Sequence, residues 1–327
     1  MTLDLSKYYK DYLKDSKATS FIIYNNADKT IIGNVNDIRV NVRSVAKTIM
    51  ALAIFKLIEE SSFEINLDTK IYPYINKKIR LTNKNNLRYL EEIKLDHLLT
   101  HSIGYDYPLL MSKDIKGINE DELLNYCLNY PIKYKPASKF LYSNVGFYLL
   151  SVFMENYLDS SLYDFIDRNF FRILSIKSPR WDCYGSYLVG ASKLFLSPVD
   201  MLKFGKIILN KGSYEGLTIL NRESIEKMLE VTYKNPNSSK LNYLSEDYYC
   251  RGIWSSKENI IFASGSGGQI IAILEDEDII IVTSNQKEDS MSKEIKDDID
   301  KLIGIIKGDR NGLQIPQWIE SNIWRSL

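Results

Sequence analysis

At 327 residues the chain is long enough to bury a large core, with room for two subdomains. Lys plus Arg and Asp plus Glu both number 42, and neither a basic block nor a zinc-type Cys/His cluster occurs, so nothing draws in nucleic acid or an anionic membrane surface. Cys127, Cys183 and Cys250 are few and scattered, the first residues hold no apolar stretch of signal length, and no run reaches the ~18 residues that span a bilayer; the expectation is a soluble, cytoplasmic protein.

Residues 20–25 and 29–35 are short β-branched runs separated by Asn26-Ala27-Asp28, and they read as a hairpin. Ser44-Val45-Ala46-Lys47 follows, at the head of the apolar run 48–58, which reads as a buried helix. From about 84 to 180 helical patterns dominate, at 96–100, 119–128, 145–157 and 161–170, with loops marked by Gly104, Pro131 and Pro136. Residues 198–209 form an amphipathic helix with Pro198 in its first turn; strands are expected at 260–263, 269–274 and 278–283, and a helix at 292–307. The tail, 314–327, carries Trp318 and Trp324 and is expected to dock on the surface. Strands near both chain ends with helices between them predict a mixed α/β (α+β) fold. Its antiparallel sheet would come from 1–80 and 181–327, a mostly helical domain of 81–180 would be inserted, and the site would lie at their interface.

Serine followed one helical turn later by lysine sets a weak nucleophile beside an amine that can take its proton, at the electropositive start of a helix. The same spacing recurs from Ser224, Ser284 and Ser290, among charges, where it reads as solvated; the apolar helix singles out Ser44 and Lys47. An ordinary capping serine is the alternative reading of Ser44. A second element is Tyr142-Ser143-Asn144, at the entry to the 145–157 helix. The phenol there can share a proton with Ser44 and Lys47, and the amide can hold a substrate carbonyl or orient the lysine. The third, Ala263-Ser264-Gly265-Ser266-Gly267-Gly268-Gln269, is a glycine-rich strand entry that lets a substrate backbone approach closely. The two histidines, His97 and His101, are spaced i, i+4 without the acidic residue of a zinc-protease pattern, and they read as packing and hydrogen-bonding residues at a helix end.

The three elements stand in the order typical of the serine β-lactamase and penicillin-binding-protein superfamily. The chain resembles its class C-like, β-lactamase-related serine hydrolase branch, which includes esterases, D-amino-acid peptidases and 6-aminohexanoate-oligomer hydrolases. The resemblance is carried by 43–48, 93–104, 140–146, 198–205 and 263–269, within residues 40–285. It implies Ser44 as the nucleophile of an acyl-enzyme, Lys47 as the base kept partly neutral by burial, and Tyr142 as the relay that protonates the leaving group and later activates water. It further implies an oxyanion hole from the N–H groups of Ser44 and Ser266, with Asn144, Ser264 and Gly265 binding or orienting substrate, and neither metal nor cofactor.

Two departures qualify the resemblance. The triplet Ala263-Ser264-Gly265 lacks the leading Lys or His that would grip a β-lactam carboxylate, and the class A deacylating Glu loop is missing, since 121–125 begins with Asp and precedes Tyr142. The expected function is therefore hydrolysis of an ester, small amide or peptide-like small molecule through acyl-Ser44. A β-lactamase or D,D-peptidase, and a non-catalytic ligand-binding protein of the same fold, are the alternatives. Acyl transfer shares the same intermediate. The helical segment and the loop 181–186 are expected to shape the pocket; oligomeric state is left open.

Overall fold

The computed structural model describes residues 5–308 apart from 63, 78, 159 and 288–291, so the docking expected of the 314–327 tail lies outside the described residues. An eight-stranded antiparallel sheet organises the chain. Its strands are β1 (Ser20–Asn25), β2 (Thr30–Asn34), β3 (Tyr233–Lys234), β4 (Tyr248–Tyr249), β5 (Trp254–Ser255), β6 (Ile261–Ser264), β7 (Ile270–Leu274) and β8 (Ile279–Ser284), arranged β3-β4-β5-β6-β7-β8-β1-β2. The N-terminal hairpin joins the C-terminal strands through β1, where Phe21 pairs with Thr283 and Ile23 with Ile281.

Strand residues alternate faces, and here both faces are covered. Ile22, Tyr24, Ile271, Ile273, Ile280 and Val282 belong to one apolar cluster, whereas Phe21, Ile23, Ile270, Ala272 and Ile281 belong to another. This is why β7 and β8 read as unbroken apolar runs rather than as alternating ones. The first cluster includes helices α1 (Val45–Glu60), α3 (Val145–Tyr157) and α4 (Pro198–Leu209), with the short α2 (Leu95–Leu99) against α3. The second is closed by Ile295, Ile299, Leu302 and Ile303 of α5 (Ser292–Ile306), and by Leu5, Tyr8 and Leu13. On α4, a Cβ at Gly205 would sit 3.0 Å from methyl groups of Ile271 and Ile280, so glycine lets the helix lie close on the sheet.

The helices expected at 145–157 and 198–209 have those bounds. α4 starts with a capping box, Ser197 accepting from the Asp200 N–H, and Pro198 adds a fixed φ where an N–H has no helical partner. The expected helix at 119–128 is a 3-10 turn, Glu120–Glu122, followed by Leu123–Asn129; that at 161–170 runs Leu162–Ile166 and ends in a π turn, Asp167–Phe171. Strands β3, β4 and β5 were not foreseen, because two residues each are too short to show a period. No helix among the described residues is long and apolar enough to cross a membrane.

Candidate active site

Ser44 occupies the N-cap position of α1, yet its hydroxyl makes no capping hydrogen bond. The chain reaches it through Arg43, at φ 53°, in a tight turn where the Val45 N–H donates to the Val42 carbonyl and the Ala46 N–H to the Arg43 carbonyl. A small sheet holds this turn from the side: Val40–Asn41 pairs with Leu194–Leu196, and the Val42 N–H donates to Leu194 at 2.8 Å. The ordinary capping reading therefore gives way to a hydroxyl left free for other partners.

Its partner is Lys47, one turn on, with Nζ 3.0 Å from Ser44 Oγ. Lys47 is 1 % exposed and meets no carboxylate among the described residues; Nζ also donates to Asn144 Oδ1 at 2.8 Å and to the Ala191 carbonyl at 3.2 Å. Burial disfavours the ammonium and brings its pKa down to about 7, against 10.5 for an ordinary lysine, so near neutrality a large fraction is a free amine. Asn144 spends its Oδ1 on Lys47 and donates Nδ2 to the Leu110 carbonyl at 2.9 Å. Of its two expected roles, this arrangement serves the lysine.

Tyr142 lines the cleft beside Ser44, close enough for the serine hydroxyl to bear on the titration of its phenol. Burial drives that phenol well above its ordinary pKa, and the Ser44 contact offsets only part of the rise. The hydroxyl therefore keeps its proton at neutral pH and can donate a hydrogen bond. Aromatic rings fix its position: Trp254 stacks on Tyr142 at 5.2 Å between centroids, and the His101 ring lies at 4.5 Å. Lys47 Nζ sits 4.9 Å from the Tyr142 ring centre.

At the end of β6, Ser264, Gly265 and Ser266 approach the Ser44 turn. A Cβ on Gly265 would stand 2.8 Å from the Val42 carbonyl oxygen and 3.0 Å from Arg43 Cβ, so only glycine permits this approach. The turn is locked from behind: the Gly265 N–H donates to the Gln269 carbonyl at 2.7 Å, and the Gly267 N–H to Gln269 Oε1 at 3.1 Å. Among the described residues, the N–H groups of Ser44 and Ser266 donate to no other group, which leaves both open to a ligand oxygen.

These residues border an open cleft of about 520 Å³. Ser44, Tyr142, Asn144, Ser264, Gly265 and Ser266 all line it. The loop 181–186, expected to shape the pocket, does not; it carries a small hairpin, Cys183–Tyr184 with Tyr187–Leu188, placed by the ring of Tyr148. Two further walls come from Pro108, Met111 and Ser112 and from Asn235, Pro236 and Asn237. Ser284, expected in solvent as a decoy copy of the Ser-Lys spacing, is instead 1 % exposed at the end of β8. Ser224 hydrogen-bonds Glu59, and Lys227 pairs with Glu230, so that copy is engaged elsewhere.

His97 Nδ1 accepts from the Lys94 N–H at 3.1 Å, and buried His101 shares a 3.0 Å hydrogen bond with Tyr249 Oη. Three charged groups in the cleft escaped the sequence reading: Arg43, Glu246 and Lys296. Arg43 adjoins the serine and was within reach of a local argument; Glu246 and Lys296 are fifty residues apart and carry no motif.

This combination of an antiparallel sheet, flanking helices and a serine-lysine pair at a buried helix start defines the β-lactamase/transpeptidase-like fold class. Residues 24–304 match the sequence profile of the family described as Beta-lactamase, and the chain belongs to that family. Solved structures agree at the level of fold. The octameric penicillin-binding protein homologue from Pyrococcus abyssi superposes with a TM-score of 0.70 at 20 % identity, covering 94 % of this chain and 78 % of that one. A Bacillus anthracis protein provisionally named a 6-aminohexanoate-dimer hydrolase gives 0.68 at 20 % identity, covering 91 % and 81 %. A D-stereospecific amidohydrolase from Streptomyces gives 0.62 at 14 % identity, covering 87 % and 94 %.

Proposed function

We propose that the protein is a serine hydrolase that cleaves an ester or small amide through an acyl-Ser44 intermediate. The observation that carries this reading is Lys47: fully buried, without a carboxylate, at a pKa of about 7, and 3.0 Å from Ser44 Oγ. A lysine paired to a carboxylate would stay protonated, whereas this one is a usable base. The names of two fold relatives, a 6-aminohexanoate-dimer hydrolase and a D-stereospecific amidohydrolase, support amide-type substrates.

In the first half-reaction Ser44 Oγ bonds to the acyl carbon while its proton passes to Lys47. The carbonyl oxygen, now negative, is received by the N–H groups of Ser44 and Ser266, each worth about 3 kcal/mol in comparable oxyanion holes. The bond to the departing oxygen or nitrogen then breaks as that atom takes the Tyr142 proton, and Lys47 gives up the proton it took from Ser44 to restore the phenol, leaving acyl-Ser44 beside a neutral amine. In the second half, water gives a proton back through Tyr142 and Lys47 and its oxygen bonds to the acyl carbon, releasing the acid and the Ser44 hydroxyl. Substrate plus water thus yields acid plus alcohol or amine.

Intact-mass spectrometry after exposure to a fluorophosphonate, a p-nitrophenyl ester panel and penicillin G tests the reading. A phosphonyl adduct on the wild-type protein and none on Ser44→Ala supports it; no adduct with any reagent favours a binding protein that keeps the fold. Stable penicilloylation would move the assignment to a penicillin-recognising enzyme. Ala263, where the third motif's cation would stand, argues against that outcome.

A further inference from the structure

Of the three charged groups that share the cleft with Ser44, Glu246 and Lys296 are paired with each other. Glu246 lies in the loop before β4, and Lys296 lies on the first half of α5; Nζ and Oε1 are 2.8 Å apart, and the side chains are 18 % (Lys296) and 24 % (Glu246) exposed. Removing such a pair from water costs more than packing apolar groups in its place, so a pair kept at the wall of an open cleft calls for a reason.

Holding the loop is not that reason, because other groups already do it. Asp300, one turn beyond Lys296 on α5, accepts the N–H groups of Asn242, Tyr243 and Leu244 at 3.2, 2.6 and 2.8 Å. The Asp247 carboxylate accepts from the Ser238 and Ser245 hydroxyls and from the Lys257 N–H, and Asn235 Nδ2 donates to the Glu246 carbonyl at 2.8 Å. The loop is thus anchored on both sides of Glu246 by bonds that do not involve its carboxylate.

The pair also sits on a particular side of the site. Glu246 and Lys296 line the same cleft as Tyr142, the group that in the proposed reaction gives its proton to the departing atom, so the pair borders the space in which a leaving group would lie. A ligand with one charge can satisfy only one member and must compete with the other. An ammonium and a carboxylate carried together can lie antiparallel to the pair and leave neither member unmatched.

We propose that Glu246 and Lys296 form a subsite for the zwitterionic end of an amino-acid leaving group, its ammonium on Glu246 and its carboxylate on Lys296. The substrate class is an amino acid whose side-chain oxygen or nitrogen is acylated. For an ester of this kind the acyl carbon bonds to Ser44, the ester C–O bond breaks, and the hydroxy-amino acid departs with the proton delivered through Tyr142. The inference rests on the acyl-Ser44 reading.

The test uses four acetyl esters at pH 7 whose alcohols share an O–C–C–C chain and differ in the charges attached to its far end: O-acetylhomoserine (zwitterion), 3-aminopropyl acetate (cation), 4-acetoxybutyrate (anion) and propyl acetate (neutral). For the wild type, kcat/KM on the zwitterion is expected to exceed that on the neutral ester by about tenfold or more, the usual scale of one or two matched ionic hydrogen bonds. That ratio should fall to near one in the Glu246→Gln, Lys296→Gln double variant. Glu246→Gln alone should turn the preference toward the anion, and Lys296→Gln alone toward the cation. As a readout independent of turnover, free homoserine should slow fluorophosphonate labelling of Ser44 at concentrations about tenfold below those needed with propanol, and the double variant should lose that difference.

A wild-type ratio near one, with no selective protection by homoserine, overturns the subsite. So does an equal loss on all four esters accompanied by a lowered melting temperature, which would make the pair a structural clamp. Labelling of Ser44 without any charge preference refutes the subsite alone; absence of labelling and of turnover refutes the acyl-Ser44 reading and the subsite with it.

Discussion

Replacing Asn144 by aspartate tests the chemistry of Lys47 most directly. Asn144→Asp puts a carboxylate oxygen where Oδ1 now stands, 2.8 Å from Lys47 Nζ. With that 2.8 Å separation and an effective dielectric constant near 20, the attraction is about 6 kcal/mol, or about four pKa units. Two costs reduce it: the hydrogen bond from Nδ2 to Leu110 is lost, and a second charge enters a partly buried place. A net rise of about two to three units remains, carrying Lys47 from about 7 to about 9 or 10.

Because the carboxylate favours the ammonium, the free-amine fraction at pH 7 should drop from about one half to about one hundredth or less. The rising limb of log kcat/KM against pH for p-nitrophenyl acetate, corrected for spontaneous hydrolysis, should move from about 7 up to 9–10, with activity returning at alkaline pH. A limb that stays near its wild-type position, or a loss of equal size at every pH, would refute the assignment of Lys47 as the base.

Lys47→Met should raise the melting temperature at neutral pH. The folded pKa of Lys47 lies below its unfolded value, so between about 7 and 10.5 the unfolded chain binds the extra proton and wild-type stability climbs with pH. The variant's advantage, a few kcal/mol at most, is thus full below about 7 and fades toward 10.5, as paired thermal melts across that range would show. Tyr142→Phe keeps the ring between Trp254 and His101 but removes the proton donor. Acylation by p-nitrophenyl esters, followed as the first-turnover burst, should change little, whereas acylation by alkyl esters, whose leaving group needs a proton, should slow by about 100-fold or more; equal losses of acylation rate on both classes would contradict the role. Gly265→Ala places a methyl 2.7–2.8 Å from Gln269 Oε1 and the Val42 carbonyl, pushing β6 away from the Ser44 turn. A fall in kcat of about tenfold to a hundredfold, with KM less affected, is expected from the displaced oxyanion donor.

The chain alone determined what depends on neighbours along the backbone. Ser44 and Lys47 meet because i and i+3 share a helix face, and the apolar run after them marks that helix as buried. The bounds of α3 and α4, and the pairing of β1 with β2, follow likewise from periodicity, Pro198 and the turn residues at 26–28. Tyr142 and Asn144 were legible through their place at the start of α3.

Distances between remote segments were decided only by packing of the core. The pKa of Lys47 depends on enclosure by Asn144 and the Ala191 carbonyl, which lie 97 and 144 positions away. Asn144 meets Lys47 through Oδ1 because the start of α3 packs beside the Ser44 turn, with its amide nitrogen held by the Leu110 carbonyl. The two-residue strands β3 to β5 exist because a growing sheet edge supplies partners for segments without a period of their own. Glu246 and Lys296 could be found only once Asp300 had drawn the loop onto α5, since no spacing rule links a loop carboxylate to a helix amine fifty residues later. Short-range backbone geometry is written in the order of residues; the field inside a cleft is set by which distant charges the core brings to its walls.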